Sequence, residues 1–487
     1  MSPLKTEDTL AAINEIKKAF TQSTSPTSGL TAYPLDAPAK LLYPTITPLR
    51  NRIPRVSGQG GIQASWRAIT GVNTANAGIG VSEGNRGVIQ TSTTADYVAT
   101  YKAIGLDDTV TFEAELAAEG FDDVRARAVQ GLLRGLMIGE EKAILGGNNS
   151  LALNTTPTPN LTAATSGGSL PSASSSSNSV ICVAMTLDAY LVASLANGLP
   201  LSANRTLADG TVEAYNQGTA QKSANATVAT TGSGSASIIA TVTPVPGAVA
   251  YAWFYGATGS EALVAITTVT QVVITAAAAG GAQLASAGFT ADKSQNSQLF
   301  DGLLTQIMKS GSNAYVNTLA AGSTLTADGS GGIVEIDTAL KAFWDNYRLS
   351  PTDIYVSSQE QSNISKKILT SGSNGAQRFV FSQEQGVLAG GVTVRSYLNK
   401  FSMDGAQNIN ISLHPNLPAG TMVFYTETLP YPLSNVSNVL QIRARRDYYQ
   451  IDWPIVNRKY QYGVYADEVL QCYFPPAFGV INNISNG

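Results

Sequence analysis

The amino-acid sequence predicts an α+β fold with a small all-β sandwich set into its middle, and three patterns carry that expectation. Residues 121–145 read as one long helix, opened by Asp122-Asp123 and stopped by Gly146-Gly147. Residues 62–68, 97–103, 440–445 and 460–465 alternate apolar and polar side chains with the period of a strand. Between residues 222 and 287 charge almost vanishes, and short Val/Thr/Ala/aromatic runs recur between turns.

The chain has 487 residues, a prior for about three domains. Hydrophobic residues make up 44% and charged residues only 13%, against a typical ~25%, so Ser, Thr, Asn, Gly and Gln must supply the polar surface. Such a surface suits large neutral contacts, and the net charge of −4 argues against a protein that grips polyanions. The longest apolar stretch, 269–279, falls well short of the ~20 residues needed to span a bilayer. The first eight residues are partly acidic and lack the apolar run of a secretion signal, so a soluble protein made in a cytoplasm is expected. Cys182 and Cys472 have no metal-ligand spacing and read as free, buried thiols.

In chain order, Thr6 offers an N-cap to a helix over 6–20, with Leu10, Ile13, Ile16 and Phe20 on one face. Pro26, Pro34, Pro38, Pro44, Pro48 and Pro54 then forbid helix or central strand and predict an extended arm. Next come the long hairpin, a short strand at 109–112, a connection over 113–120 and the spine helix of roughly 37 Å. Gly131, Gly135 and Gly139 share one face of that helix. Because interior glycines cost about 1 kcal/mol each, close approach of another backbone is expected there. Residues 151–179 are Ser/Thr/Pro/Gly-rich and read as a long surface loop, and 180–185 as a strand. The sandwich strands are expected at 226–228, 236–242, 248–255, 263–266 and 271–276, around Trp253. Helices follow at 297–309, 336–347 and 358–369, with a strand at 353–356, and long strands close the chain.

No phosphate loop, dinucleotide fingerprint or GxSxG elbow occurs, and no catalytic, cofactor-binding or metal-ligating residue is expected. The adjacent Glu140 and Glu141 read as solvated charge near a helix end, and His414, the sole histidine, as a loop residue without chemistry. Arg443, Arg445, Arg446, Arg458 and Lys459 read as interface ion pairs on strands more readily than as phosphate contacts. Arg50, Arg52, Arg55 and Arg67, where arm meets hairpin, are expected to bind a partner.

The order of parts then becomes specific: a Pro-rich arm, a long hairpin, Gly120-Phe121-Asp122-Asp123-Val124 opening a helix that ends Gly139-Glu140-Glu141-Lys142-Ala143-Ile144-Leu145-Gly146-Gly147-Asn148, and later a helix, Leu349-Ser350-Pro351-Thr352-Asp353-Ile354-Tyr355-Val356-Ser357-Ser358 and a further helix. This resembles the major capsid protein of a tailed bacteriophage, the Hong Kong ninety-seven-type capsid fold, over nearly the whole chain. The exception is the insert, where Pro244-Val245-Pro246-Gly247-Ala248-Val249-Ala250-Tyr251-Ala252-Trp253 resembles an immunoglobulin-like domain. The resemblance implies an N-terminal helix and arm (1–56), an extended loop (57–106), a peripheral domain (107–179 and 425–487), an axial domain (180–221 and 288–424) and the immunoglobulin-like insertion (222–287). It further implies hexamers and pentamers tiling an icosahedral virion shell, assembled in a host bacterial cytoplasm without any membrane. Double-stranded DNA would be packaged without sequence-specific binding, and a portal with separate scaffolding or decoration proteins would be partners. Subunit-interface candidates on this reading are Arg50, Arg52, Arg55, Trp66, Arg67, Arg86, Tyr97, Tyr101, Arg443 and Arg445. A bacterial surface-array or adhesin-like structural protein is the alternative; the N-terminus and the long interior helix argue against it.

Some members of that family link subunits through a lysine on the extended loop. Here Lys102 is the only lysine between Lys40 and Lys142, and it falls near the hairpin base instead of the tip at 77–86. An amine must be desolvated and deprotonated to attack an amide, which an exposed hairpin base does not favour. Mature particles boiled in detergent should therefore run as a single band near 50.8 kDa. A ladder of multimers that vanishes on Lys102→Ala would overturn this expectation.

Overall fold

Alternation in the closing strands is resolved by a sheet that gathers distant parts of the chain. The computed structural model describes residues 45–58, 60–72, 79–87, 89–119, 122–207, 210–232, 234–370, 393–403, 405–432 and 434–487. The helix expected at 6–20 and the arm up to residue 44 lie outside the described residues. Strands Leu440–Asp452 and Lys459–Cys472 pair antiparallel, and Lys102–Thr111 lies along the far side of Lys459–Cys472. Arg55–Ser57 adds in parallel to Leu440–Asp452, giving a four-stranded sheet. Leu440, Ile442 and Ala444 are buried, whereas Arg445 between the next pair of positions is exposed.

The hairpin is a two-stranded ribbon, Gln63–Val72 against Ser92–Thr100, with Trp66 opposite Tyr97. Its return strand does not run to residue 103 and stop before a separate short strand at 109–112. The buried Tyr101 ends the ribbon, and one continuous strand, Lys102–Thr111, carries the chain into the four-stranded sheet. The connection after it is a helix, Phe112–Ala118, capped by Thr111 Oγ1, which accepts from the amide of Ala114 at 3.3 Å.

The spine helix runs Val124–Gly146, with the Asp123 carboxylate accepting from the Ala126 amide at 3.0 Å. Leu132 and Leu136 pack against Val110, Tyr462 and Val464 of the sheet, and Ala143, Ile144 and Leu145 enter the main core. The expected backbone approach on its glycine face is not found among the described residues. A β-carbon at Gly131 or Gly139 would meet nothing within 4 Å, and one at Gly135 would meet only Leu106 Cδ1. Close approach occurs beyond the helix end instead, where a β-carbon on Gly147 would sit 2.5 Å from Phe300 O and one on Gly302 the same distance from Ala143 O.

A six-stranded sheet forms the centre of the main core, in the order Tyr315–Thr318, Gly479–Asn482, Met422–Tyr425, Asp353–Val356, Gln407–Leu413, Ser396–Asn399. Helices Val334–Tyr347 and Ser358–Thr370 belong to the same unit; Phe343 of the first contacts Phe424 and Tyr315 of the sheet. Gly479–Asn482 therefore belongs to this sheet, whereas the sequence reading assigned all of 425–487 to the unit built on the spine. The chain is α+β, with helices interspersed among mostly antiparallel sheets. Among the described residues no helix is long and apolar enough to cross a membrane.

The sandwich is larger than residues 222–287. Its three-stranded sheet pairs Gln271–Ile274 and Asn160–Ala164 with Ser237–Thr241, and its four-stranded sheet places Ser179–Met185 between Ala250–Gly256 and Ala226–Thr227. Trp253 is wholly buried between the sheets and donates from Nε1 to Thr267 Oγ1 at 2.9 Å. The Ser/Thr-rich stretch read as a loop thus supplies an edge strand. Ser179–Met185, buried at every position, is an interior strand that composition assigned elsewhere. The ends of the enlarged unit meet, since Leu153 N donates to Ser294 Oγ at 2.9 Å and Asn154 N to Asp292 Oδ2 at 2.7 Å. A fragment spanning 153–294 should fold cooperatively, while 222–287 alone, missing two strands, should show no cooperative melt by circular dichroism.

Candidate functional site

The distinctive chemistry of the chain lies where residues 48–57, here termed the strap, cross the end of the spine helix. Pro48 opens a single helical turn, Pro48–Arg52; its Leu49 and the following Ile53 are buried in the main core. A helix start leaves amide hydrogens without intrahelical partners, and Glu141 supplies the acceptors. Its Oε1 takes the Leu49 amide at 3.0 Å and its Oε2 the Arg50 amide at 2.7 Å. His414 completes that carboxylate's shell at 2.7 Å through Nε2. The Asn416 amide donates to Nδ1 at 3.2 Å, so Nε2 carries the hydrogen that points at Glu141.

Glu140, one residue earlier, reads the strap's side chains. Arg50 Nε donates to its Oε2 at 2.9 Å, Arg55 Nη1 to its Oε1, and the Tyr448 hydroxyl to Oε2. The Arg55 guanidinium also donates to Asp447 Oδ1 at 2.7 Å and Glu468 Oε2 at 2.5 Å, and lies 4.5 Å above the Tyr448 ring. Arg52 pairs with Asp353 at 2.6 Å and Glu427 at 2.9 Å, over the Tyr425 ring. Glu140, Glu141, Glu468 and the His414 side chain are all almost completely excluded from solvent. Burial pushes the Glu468 carboxyl up to about 8, with the charge of Glu140 adding to the rise and Arg55 opposing it.

These contacts correct three expectations. Arg50, Arg52 and Arg55 are engaged inside the chain, not free for a partner, because buried carboxylates on the spine and the sheets need their charge. Glu140 and Glu141 are not solvated: the apolar residues 143–145 beyond them draw the helix end into the core. His414 is a buried hydrogen-bond donor, not an idle loop residue. An acidic pair near the C-terminal end of an apolar helix opposes the helix dipole, and that conflict was a readable sign of buried partners. Nothing in the local sequence pointed to Asp447, Tyr448 or Glu468.

The remaining candidates surround the hairpin. Trp66 stacks on Tyr97 at 5.8 Å between ring centroids and meets Tyr473 edge-on at 5.7 Å. Arg67 makes a bidentate pair with Asp96 across the ribbon, in solvent. Tyr101 is buried under Arg445, which also bonds Asp467 at 2.9 Å and Gly61 O at 3.2 Å. Arg443 reaches Gln471 Oε1 at 3.4 Å, and Arg86 is exposed beyond the ribbon strands. A cleft of about 560 Å³ opens beneath the ribbon, lined in part by Trp66, Tyr97, Lys309, Tyr347, Tyr473 and Phe474. The ribbon and its tip leave Ile69, Ile79 and Ile89 exposed by 69%, 95% and 87%. Among the described residues no group of three or more His, Cys, Asp or Glu side chains is placed to hold a metal ion.

Removing one partner of a buried pair strands the other, at a cost of about 3–5 kcal/mol. Glu141→Ala should lower unfolding stability by about 3 kcal/mol in urea denaturation, since two amides and His414 lose their acceptor. Arg67→Ala, on the exposed ribbon, should leave the midpoint unchanged.

No family model matches the sequence, and no curated protein matches it. Among solved structures, the chain is similar to the capsid of a native GTA particle, at 8% identity and a TM-score of 0.41 over 94% of this chain and 96% of that one. It is similar also to the capsid of cyanophage P-SCSP1u, at 8% identity and a TM-score of 0.39 over 94% of each chain. A third likeness is to the capsid of Myoviridae phage XM1, at 9% identity and a TM-score of 0.41, covering 92% of this chain and 96% of that one.

Proposed function

We propose that this chain is a structural, non-enzymatic major capsid protein of a tailed bacteriophage, self-assembling as hexamers and pentamers into the icosahedral virion shell around double-stranded DNA. The observation that carries the reading is the ribbon 63–100: two strands with apolar side chains left in water, rooted in a strap fixed by buried ion pairs. A two-stranded ribbon is marginal alone, and exposed apolar groups along its length gain stability only when a neighbour covers them. Identical neighbours provide that cover in a closed lattice. The arm-to-spine order of parts supplies the family, and the weakly charged, net acidic composition suits an inner wall that does not hold DNA tightly.

On this reading Ile69, Val72, Ile79, Val81, Ile89, Tyr97 and Arg86 face adjoining subunits, Trp66 and Tyr101 hold the ribbon's base, and Arg443 and Arg445 keep the underlying sheet in place. Portal and scaffolding or decoration proteins are the further partners. Assembly takes place in the host cytoplasm. Deleting residues 75–90 should leave a folded subunit that forms monomers or capsomers but no closed shells in negative-stain electron microscopy. Normal shells from that deletion would sink the assignment.

A further inference from the structure

Two fully buried carboxyl groups, Glu140 from the spine helix and Glu468 from Lys459–Cys472, converge on the single guanidinium of Arg55. The buried Glu468 Oε1 has no hydrogen-bond donor, and the charge of nearby Glu140 adds to burial in raising the Glu468 carboxyl. Two carboxylates are both acceptors and repel each other, so two buried ones drawn to a single guanidinium can bond to one another only with a proton between them. The other groups around the pair are already committed. Arg50 and the Tyr448 hydroxyl serve Glu140, and Asp447 takes the remaining face of Arg55. Glu141 is turned to the Leu49 and Arg50 amides and His414. Lys102, opposite Glu468 in register, sends its ammonium to Ser297 O at 2.5 Å, and Asp467 is held by Arg445.

We propose that Glu140 and Glu468 share one proton, and that this proton is the catch of a latch holding the strap 48–57 on the body. With the proton present, Arg55 bridges one carboxylate and one carboxylic acid. Without it, two buried negative charges face each other across one guanidinium, and the strap is loosened. The strap joins the segment before residue 45 to the hairpin beginning at Gln63, so letting go would free the roots of both. The proposal concerns the single chain and stands whether or not the shell reading holds.

The direction follows from linkage. A carboxyl raised from 4.5 to about 8 holds its proton more tightly in the closed strap than in the open one. The contribution of this proton to strap stability is therefore complete below pH 4.5, falls as pH rises toward 8, and levels off above it. Between pH 7 and pH 9 the open population should rise about tenfold. Trypsin cleavage after Arg52 or Arg55, normalised to a free peptide substrate, reads that population. Wild type should show the rise. Glu468→Gln, which keeps the shape and donates an N–H to Glu140 in place of the shared proton, should be flat over the same range and cut more slowly than wild type at pH 9; Glu140→Gln should also be flat. If either variant unfolds, the infrared carbonyl band of a protonated carboxyl in wild type, present at pH 6 and lost by pH 10, replaces the cleavage test. A wild-type profile without the rise, a Glu468→Gln chain cut faster at every pH, or no such band would mean that Glu468 is an ordinary ionised partner of Arg55 and overturn the proposal.

Discussion

The meeting of Glu140 and Glu141 with the strap is the constraint on which the rest of the structure depends. Successive residues on a helix point about 100° apart, so two adjacent buried glutamates need partners in two directions. The strap supplies both: Glu141 receives its backbone amides and Glu140 its guanidinium groups. Either element without the other would leave ions buried and unpaired, a cost of several kcal/mol, so spine and strap are obligatory to one another. From that junction Arg55–Ser57 enters the sheet, and Gly58 passes so close to Tyr101 and Ala444 that a side chain there would collide. The hairpin thus leaves a fixed root with its ribbon uncovered, a geometry suited to reaching a neighbour from a defined direction.

The same helix end ties the other units together. Leu187, which follows the interior strand of the sandwich, packs against Gly146 so tightly that a β-carbon would fall 2.4 Å from it. Gly147 and Gly302 bring two backbones into contact, and the Gly302 amide donates to Gly147 O at 2.7 Å. Glycine is needed at these two positions for space, not for an unusual backbone angle. Among the described residues, the three glycines inside the helix meet only the tip of one leucine, and no backbone neighbour accounts for them.

Local pattern made the secondary structure legible and left the pairing between distant segments hidden. The spine, the ribbon, the closing strands and the Asp353–Val356 strand follow from periodicity and caps, which act over a few residues. Trp253 as the core of a sandwich followed from strand spacing. The edge strand Asn160–Ala164 did not, because its residues, Asn-Leu-Thr-Ala-Ala, carry weak alternation and gain their order from backbone pairing with Ser237–Thr241. The sequence shows the arginines of the strap as a cluster of charge without showing that the opposite charge comes to lie on the inner side of them. Their carboxylate partners are as far as 413 residues away in the chain, and only the fold brings them together.

The inward pairing of the strap arginines limits what the surface can do. Arg50, Arg52, Arg55 and Arg445 are paired within the chain, so these four are not offered to a neighbour. What the ribbon presents instead is isoleucine, valine and tyrosine on a narrow twisted strip, with Arg67 and Asp96 neutralising each other across it. Contacts of that kind draw their strength from the area removed from water and their selectivity from shape, and are little screened by salt. The ion pairs fix the direction in which the ribbon leaves the body, and the apolar strip provides attraction once a matching surface is in reach. On the shell reading proposed above, orientation and adhesion are therefore carried by different residues, and the strip would meet more than one neighbour geometry from the same root.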